Sequence, residues 1–224
     1  MSWTVLIVAV AAYLIGSFPT AYVFARQRVG VDIRTVGSGN VGGSNMRALE
    51  GTWATVVVGV IDLLKGTLPV WLAVRLGLGA QAAYVAAVAV VVGHDWPVWL
   101  GFQGGRGGAS SLGTLLVLYP YGFLWVLGLM TIGKVTATVA ILHICGVATL
   151  PLVAWLLGQP AGLVATLIIL AVLMVVKRLE ANRCFRVPAE VGERAAGAPM
   201  ARVAGIVYLN RLLLDRDYRE ISSS

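Results

Sequence analysis

The chain has 224 residues, of which 58% are hydrophobic and only 12% are charged, and its mean hydropathy is +0.86. Soluble domains carry about 25% charged residues, so this composition excludes a water-soluble globular protein and indicates an integral membrane protein. The net charge of +7 comes from arginines that are not interleaved with exposed aromatic residues. We therefore expect no nucleic-acid partner. The excess of positive charge is expected to orient the protein in the membrane and to contact anionic lipid.

Six apolar runs follow one another, each near the roughly 20 residues that cross a bilayer as a helix. They cover residues 3–24, 52–74, 80–100, 109–132, 135–157 and 162–176. The fourth run is interrupted by Pro120-Tyr121-Gly122, and proline breaks a helix because it lacks an amide hydrogen.

Charge placement orients these runs. The connection after the first run holds four arginines against two acidic residues, and the segment from Lys177 onward holds nine basic residues against six acidic ones. The positive-inside rule places both in the cytoplasm and the amino terminus outside. This arrangement needs an odd number of passes, so we expect seven, with Pro120 separating two of them; five is the alternative.

The sequence thus predicts an all-α, polytopic integral membrane protein of about seven transmembrane helices, some of them short or broken. We expect residues 1–200 to form a single membrane-embedded domain. Residues 201–224 are expected to form a basic cytoplasmic tail, in which residues 202–214 suit an amphipathic surface helix.

The first polar connection contains the segment VGSGNVGGSN, residues 36–45. Glycine-rich turns let successive backbone N–H groups point into one concavity that binds anions, and serine and asparagine side chains add neutral hydrogen-bond partners. The residues of these kinds are Gly37, Ser38, Gly39, Asn40, Gly42, Ser44 and Asn45.

Two further polar segments are predicted on the same side of the membrane. GHDWPVWLGFQGGRGGAS follows the third run, and KRLEANR begins the tail. Three arginines, Arg47, Arg106 and Arg183, carry planar guanidinium groups that suit bidentate contacts with phosphate. Many donors and few carboxylates indicate a phosphorylated substrate, although such loops are also found as simple tight connections between membrane helices.

The sequence does not support several other chemistries. The glycines do not form a Walker loop, and no Gly-x-Ser-x-Gly elbow is present. Neither histidine has an aspartate five residues later, so the His-x4-Asp arrangement of acyl-CoA-dependent glycerolipid acyltransferases is absent. The two cysteines, Cys145 and Cys184, have no metal or redox spacing, and we expect neither a metal nor a cofactor.

Together these motifs resemble the bacterial acyl-phosphate:glycerol-3-phosphate acyltransferase (PlsY) family. The first motif of that family reads approximately Gly-Ser-Gly-Asn-x-Gly-Ala-Thr-Asn, and residues 37–45 read GSGNVGGSN. Its second motif, approximately Gly-His-x-x-Pro and then Phe-Lys-Gly-Gly-Lys-Gly, is similar to GHDWP at 93–97 and FQGGRG at 102–107. An Asp-x-x-Lys-Gly in the family's second span is matched by DLLKG at 62–66.

Four positions depart from the family pattern. Arg47 follows the first motif by two residues instead of three. Gln103 and Arg106 stand where the second motif carries lysines. The third motif, approximately His-x-x-Asn followed by arginine, keeps its last two residues at 182–183 but has Leu179 in place of the histidine.

The resemblance implies an enzyme that transfers a fatty acyl group from acyl phosphate to the 1-hydroxyl of glycerol 3-phosphate, giving lysophosphatidic acid and phosphate for phospholipid synthesis. It implies seven passes in the bacterial cytoplasmic (inner) membrane, with membrane lipid around the protein and the active site facing the cytoplasm. Two alternatives remain open. One is a family member that binds these substrates without catalysis, and the other is a transporter of a small phosphorylated solute.

The resemblance also gives the residues expected roles. Ser38, His94 and Arg106 are predicted to be catalytic. Arg106 would hold the acyl phosphate, and His94 or the departing phosphate would accept the proton. The predicted substrate-binding residues are Gly37, Gly39, Asn40, Gly42, Ser44, Asn45, Arg47, Gly104, Gly105, Gly107, Asn182 and Arg183.

Three other polar residues lie inside apolar runs. Asp62 and Lys65 are one helical turn apart, so we expect a structural ion pair, with contact to substrate as the alternative. His143 stands among apolar residues, and we expect it to be a packing residue.

Overall fold

The computed structural model describes residues 2–136 and 138–183, the last three of them, 181–183, as backbone only. Within this part of the chain every regular element is helical. The α-helices are α1 (Trp3–Ser17), α2 (Thr20–Arg28), α3 (Gly43–Arg75), α4 (Ala80–Asp95), α5 (Gly108–Leu118), α6 (Pro120–Val135), α7 (Val139–Leu156) and α8 (Ala161–Arg183), and two short 3₁₀ turns are Ile33–Thr35 and Val98–Leu100. The predicted tail 201–224, with its amphipathic segment 202–214, lies outside the described residues.

Five helical segments of the described chain are long and apolar enough to cross a membrane. They are Trp3–Arg28, which contains α1 and α2, and Gly43–Arg75, Ala80–Leu100, Val139–Leu156 and Ala161–Glu180. Helices α5 and α6 are apolar but shorter. The predicted all-α membrane fold with about seven helices, some of them short or broken, is therefore confirmed.

The chain reverses direction at Pro120, where the sequence predicts a break. A Cβ built on Gly108, at the start of α5, would lie 3.0 Å from His143 in the second turn of α7. One built on Gly133, near the end of α6, would lie 2.7 Å from Val139 at the start of α7. The start of α5 and the end of α6 therefore lie at the same end of the bundle, so the two helices run in opposite directions.

Small residues let the helices approach one another closely. Gly16 of α1 packs against the carbonyl of Val90 in α4, and a Cβ there would overlap that carbonyl. A Cβ on Gly66 of α3 would likewise overlap the carbonyl of Ser110 in α5. Helix α4 contacts α1, α3, α5 and α8, and its buried residues are mostly alanine and valine. It is therefore the central helix of the bundle.

Two long helical segments are interrupted near one end of the bundle. Helix α1 ends before Phe18-Pro19, and Gly51, with φ 79° and ψ −166°, separates the first turns of α3 from its apolar part. Buried residues such as Ile33 and Met46 pack these first turns against α2 and the loop that follows it. We call this end the polar end; it holds residues 30–51, residues 94–110 and the last turns of α8.

Candidate active site

The first glycine-rich loop folds around the side chain of Asn45, which is 3% exposed. Its Nδ2 donates to the carbonyls of Ile33 (3.0 Å) and Val36 (2.9 Å). Its Oδ1 accepts the backbone N–H of Ser38 (3.1 Å). Both amide hydrogens of Asn45 are thus used within the protein. Asn45 therefore shapes the loop, and its direct contact with substrate stays a prediction.

The same loop gathers other predicted residues into one turn before α3. The backbone N–H of Asn40 donates to Oγ of Ser38 (3.4 Å), and its Nδ2 donates to Oγ of Ser44 (3.1 Å). Gly37 and Gly39 have φ values of 55° and 69°, in the left-handed region that glycine adopts without a steric cost. The motif needs these two glycines to make the turn, and the turn holds Ser38 near the amino end of α3.

Arg34 links the first loop to the second polar segment, a role that sequence reasoning missed. Its guanidinium pairs with Asp32 at 2.7 Å, and its Nη1 donates to the carbonyl of Leu100 (3.5 Å). Hydrogen bonds from Arg34 hold the pKa of the Asp32 carboxyl below its usual value. The pair therefore stays charged at neutral pH and connects the two loops.

In the second loop the chain turns back onto the end of α4. The N–H of Gly104 donates to the carbonyl of Asp95 (3.2 Å), and the N–H of Gly105 donates to that of His94 (3.1 Å). The amides predicted to hold a phosphate are therefore occupied in this conformation, because both hydrogens close the turn. Other contacts from these two glycines to substrate stay predictions.

His94 lies between an ion pair and the second glycine loop and is 7% exposed. Its Nδ1 is 3.8 Å from Oδ1 of Asp62, and Nζ of Lys65 is 2.8 Å from the same oxygen. Its ring packs on Gly105, where a Cβ would overlap Nε2. Lys65 also donates to the carbonyl of Phe18 (2.8 Å). The predicted Asp62–Lys65 pair thus forms, and it also fixes the break after α1.

Helix α5 begins two residues after the glycine-flanked Arg106, whose side chain is half-buried. Gly107 has φ 68°, and a Cβ on it would lie 3.0 Å from Oδ1 of Asp95, which is fully buried. The first four N–H groups of a helix have no partner inside it, and they form the positive end of its dipole. The start of α5, beside Arg106, is therefore suited to an anion.

The last turns of α8 are tied to the second loop. Nε1 of Trp96 donates to Oε2 of Glu180 (2.7 Å), and Nζ of Lys177 donates to Oε1 (3.1 Å). Nζ of Lys177 also lies 4.9 Å from the centroid of the Trp96 ring. These contacts hold the end of α8 at the polar end. Of the predicted residues there, Asn182 and Arg183, only the backbone is described.

Sequence reasoning missed three charged residues of this region. Asp95 and Lys177 are 0% and 4% exposed, and Glu180 accepts hydrogen bonds from both Trp96 and Lys177. Charges near the ends of apolar spans are costly unless paired or functional, and that signal would have drawn attention to them.

The polar end therefore brings most of the predicted residues together, in different degrees of exposure. His94 is buried, Ser38 and Arg106 are half-buried, and Arg47 is exposed on the first turns of α3. Within the described ranges no group of three or more His, Cys, Asp or Glu residues could hold a metal ion. The arrangement offers hydroxyl, amide, imidazole and guanidinium groups to an anionic ligand.

Comparison with known proteins gives a family match over most of the chain. A family model described as Glycerol-3-phosphate acyltransferase matches residues 6–185. A protein of Clostridioides difficile (strain 630), named glycerol-3-phosphate acyltransferase, is 38% identical over 172 residues, which are 74% of this chain and 84% of that protein. Glycerol-3-phosphate acyltransferase 5 of Dehalococcoides mccartyi (strain ATCC BAA-2266 / KCTC 15142 / 195) is 44% identical over 128 residues, but this match spans only 55% of that protein's length.

A solved structure has the same fold. It is the crystal structure of PlsY (YgiH), described as an integral membrane glycerol 3-phosphate acyltransferase in its glycerol 3-phosphate form. The TM-score is 0.71 at 30% sequence identity, and the match covers 83% of this chain and 96% of that one.

Proposed function

Because the chain belongs to the glycerol-3-phosphate acyltransferase family, which confirms the resemblance of its motifs, we propose that it transfers a fatty acyl group from acyl phosphate to the 1-hydroxyl of glycerol 3-phosphate. The products are lysophosphatidic acid and inorganic phosphate, and the reaction serves phospholipid synthesis. The observation that most supports this proposal is that two glycine-rich loops and the amino end of α5 meet at one end of an apolar bundle.

The reaction requires no covalent intermediate on the protein. Acyl phosphate is an activated mixed anhydride, so the glycerol hydroxyl attacks its carbonyl carbon directly and phosphate leaves with the bonding electrons. The protein has to hold two phosphates close together, align hydroxyl and carbonyl, and stabilise the developing oxyanion. Donor-rich loops with few carboxylates suit these tasks.

The geometry supports a division of labour between the two loops. The acyl phosphate belongs at Arg106 and the first amides of α5, because those amides have no partner inside the helix. Glycerol 3-phosphate belongs at the first loop, where Ser38 and Asn40 lie in one turn. His94, which is buried between the second loop and the Asp62–Lys65 pair, or the departing phosphate accepts the hydroxyl proton.

The fatty acyl chain has an apolar groove close to this site. The groove lies between α1, α4 and α8 and has a volume of about 530 Å³. Tyr13, Tyr84 and Ala89 are among its lining residues. Tyr13 donates its hydroxyl to the carbonyl of Trp96 (2.9 Å), two residues beyond His94. We assign the acyl chain to this groove because its lining is apolar and one lining residue, Tyr13, contacts the polar end through Trp96.

The polar end is assigned to the cytoplasmic face of the bacterial inner membrane. Arg26, Arg28 and Arg34 lie there, on α2 and the loop after it. Basic residues in short loops near the ends of membrane spans favour the cytoplasmic side. Acyl phosphate then enters from the bilayer and glycerol 3-phosphate from the cytoplasm.

The distribution of buried ionisable residues argues against a transporter. A transporter needs a polar pathway across the bilayer, usually near its midplane. Here the buried ionisable residues Asp62, Lys65, His94, Asp95 and Lys177 form one group toward the polar end, while the core shared by α1 and α4 is alanine and valine. This favours a site open on one side, as an enzyme requires.

Purified protein in lipid, supplied with acyl phosphate and glycerol 3-phosphate, tests the proposal. We expect equal release of phosphate and lysophosphatidic acid, and none with acyl-CoA as donor. Arg106→Ala should lower the rate by roughly two to three orders of magnitude, as loss of one group that stabilises a transition state does. Arg75→Ala, at the other end of α3 and exposed, is the control. Folded protein that binds substrate without product would instead identify a non-catalytic family member.

A further inference from the structure

His143 is a buried polar residue that the roles given above do not use. It lies in the second turn of α7 and is 5% exposed. Its Nε2 has no hydrogen-bond partner among the described residues. Buried polar atoms in native proteins are nearly always hydrogen-bonded, so an atom of this kind calls for a ligand or a water molecule. Packing alone, which the sequence predicts for His143, leaves it without a partner.

The imidazole of His143 lies against the amino end of α5. A Cβ built on Gly108, the first residue of α5, would lie 3.0 Å from its Cε1 and 3.5 Å from its Nδ1. The unpartnered imidazole of His143 thus lies where the first amides of α5 carry partial positive charge.

Cationic side chains lie close to this place. Arg106 precedes α5 by two residues, and Arg178 of α8, which is 8% exposed, is a buried cation on a helix that packs against α7. Asp95, beside Gly107, is the nearest acidic group identified at this turn. Helix amides, an imidazole and guanidinium groups together fit an anion with several oxygen atoms, such as a phosphate.

Helix α8 does not supply an imidazole here. Leu179, which stands where the third motif carries histidine, is 41% exposed, whereas its neighbours Lys177 and Arg178 are buried. Position 179 therefore points away from the interior of the bundle. The imidazole that reaches the start of α5 comes instead from α7.

We propose that His143 is a substrate-binding residue, whose imidazole hydrogen-bonds a phosphate oxygen of the acyl phosphate held at the start of α5. The inference rests on the proposed function, because it uses the acyl phosphate as ligand. It adds a contact from α7 to those of Arg106 and the α5 amides. His143 thereby supplies an imidazole to a site whose third motif has lost one.

Two substitutions at this position separate binding from packing. His143→Leu removes both ring nitrogens, and His143→Gln keeps a side-chain N–H donor at similar reach. With purified protein in lipid, His143→Leu should raise the KM for acyl phosphate about tenfold, as loss of one hydrogen bond to an anion does. The KM for glycerol 3-phosphate should not change, and His143→Gln should restore most of the lost affinity. Thr149→Leu, also on α7, is the matched control.

Direct binding keeps this inference distinct from the proposed function. A non-hydrolysable acyl phosphonate is titrated calorimetrically into wild-type and variant proteins, whether or not the wild type turns over. Wild-type binding that weakens about tenfold in His143→Leu and recovers in His143→Gln supports the inference even if no product forms. Equal affinities in all three proteins, or equal losses in both variants together with lower thermal stability, would overturn it.

Discussion

The indole N–H of Trp96 donates to the carboxylate of Glu180 over 2.7 Å, and this bond joins the end of α4 to the last turns of α8. Lys177 completes the contact, since it donates to the other carboxylate oxygen and lies over the indole ring. These side chains hold together two helices that are distant in sequence. The position of residues 182–183, which carry the third motif, therefore depends on them.

Replacing Trp96 by phenylalanine removes the donor and keeps an aromatic ring beside Lys177. We expect the free energy of unfolding to fall by roughly 1–3 kcal/mol, because Glu180 loses a charge-assisted hydrogen bond. The kcat for acyl transfer should fall as well, because the end of α8 is released. Thermal unfolding in detergent and phosphate release measure the two effects. Trp99→Phe is the control, since Trp99 is 63% exposed; equal effects of both substitutions would contradict this prediction.

The hydrogen bonds by which Asn45 holds the first glycine-rich loop require its side-chain N–H donors. Asn45→Asp keeps the shape but removes both N–H donors and places an anionic oxygen against the carbonyls of Ile33 and Val36. We expect a loss of about 2–4 kcal/mol in stability, because the buried carbonyl of Ile33 and the partly buried carbonyl of Val36 lose their donor. Chemical unfolding checks this value. Asn40→Asp should be much milder, because its bond to Ser44 is exposed, and a comparable loss there would argue against this role of Asn45.

Gly105 is required for its lack of a side chain. A Cβ at this position would overlap Nε2 of His94, so Gly105→Ala should displace the imidazole and, if His94 has the proposed catalytic role, lower kcat by about tenfold or more. Gly128→Ala is a matched control, because a Cβ there meets nothing within 4 Å. The idea fails if the two alanine variants transfer acyl groups at the same rate.

The buried pair of Asp62 and Lys65 should behave as a unit. Lys65→Met leaves Asp62 without its partner, which typically costs about 3–5 kcal/mol for a buried charge. Adding Asp62→Asn should recover part of that loss, because the orphaned charge disappears. Unfolding of the two single variants and the double variant measures the coupling. Strictly additive losses would mean that the pair is not coupled.

The groove between α1, α4 and α8 predicts a dependence on acyl-chain length. Ala89→Phe fills part of the groove, so transfer from a long-chain acyl phosphate should fall several-fold relative to a short-chain one, consistent with the modest discrimination of apolar pockets. The ratio of the two kcat/KM values is the measurement. Leu64→Phe, on a lipid-facing position that is 56% exposed, should leave the ratio unchanged. An unchanged ratio in Ala89→Phe would place the acyl chain elsewhere.

Hydropathy was sufficient to locate the apolar helical segments, of which five are long enough to cross a membrane and two are shorter. The reversal at Pro120 was predictable because the parity of the charged ends required one more pass than the apolar runs supplied. The break at Gly51 was not, because a lone glycine inside a helical run has no distinct signature and adopts φ 79° only in its tertiary context. Local sequence predicts structure where the hydrophobicity of a segment places it in the membrane, or where a proline lacks the backbone N–H that a helix needs.

The candidate site was predictable in its members and less so in their contacts. The glycine motifs and His94 follow from spacing and resemblance. Other contacts depend on how helices that are distant in sequence pack. Examples are the hydrogen bonds from Gly104 and Gly105 to carbonyls of α4 and the approach of His143 to the start of α5. Small residues such as Gly66 and Gly108 set those distances, and a pattern of small residues does not say which neighbour will approach.

Helix α5 is enclosed over much of its length, from Ser110 to Leu115, between α3, α4, α6 and α8. Mobile ions can approach its positive end only from the polar end of the bundle. Charges at a freely exposed surface are screened within about 8 Å at physiological ionic strength, whereas enclosed ones are screened far less. The proposed attraction between this helix and the phosphate of the substrate should therefore depend less on salt than that of exposed Arg47, so ionic strength should act on the arrival of a substrate more than on its retention.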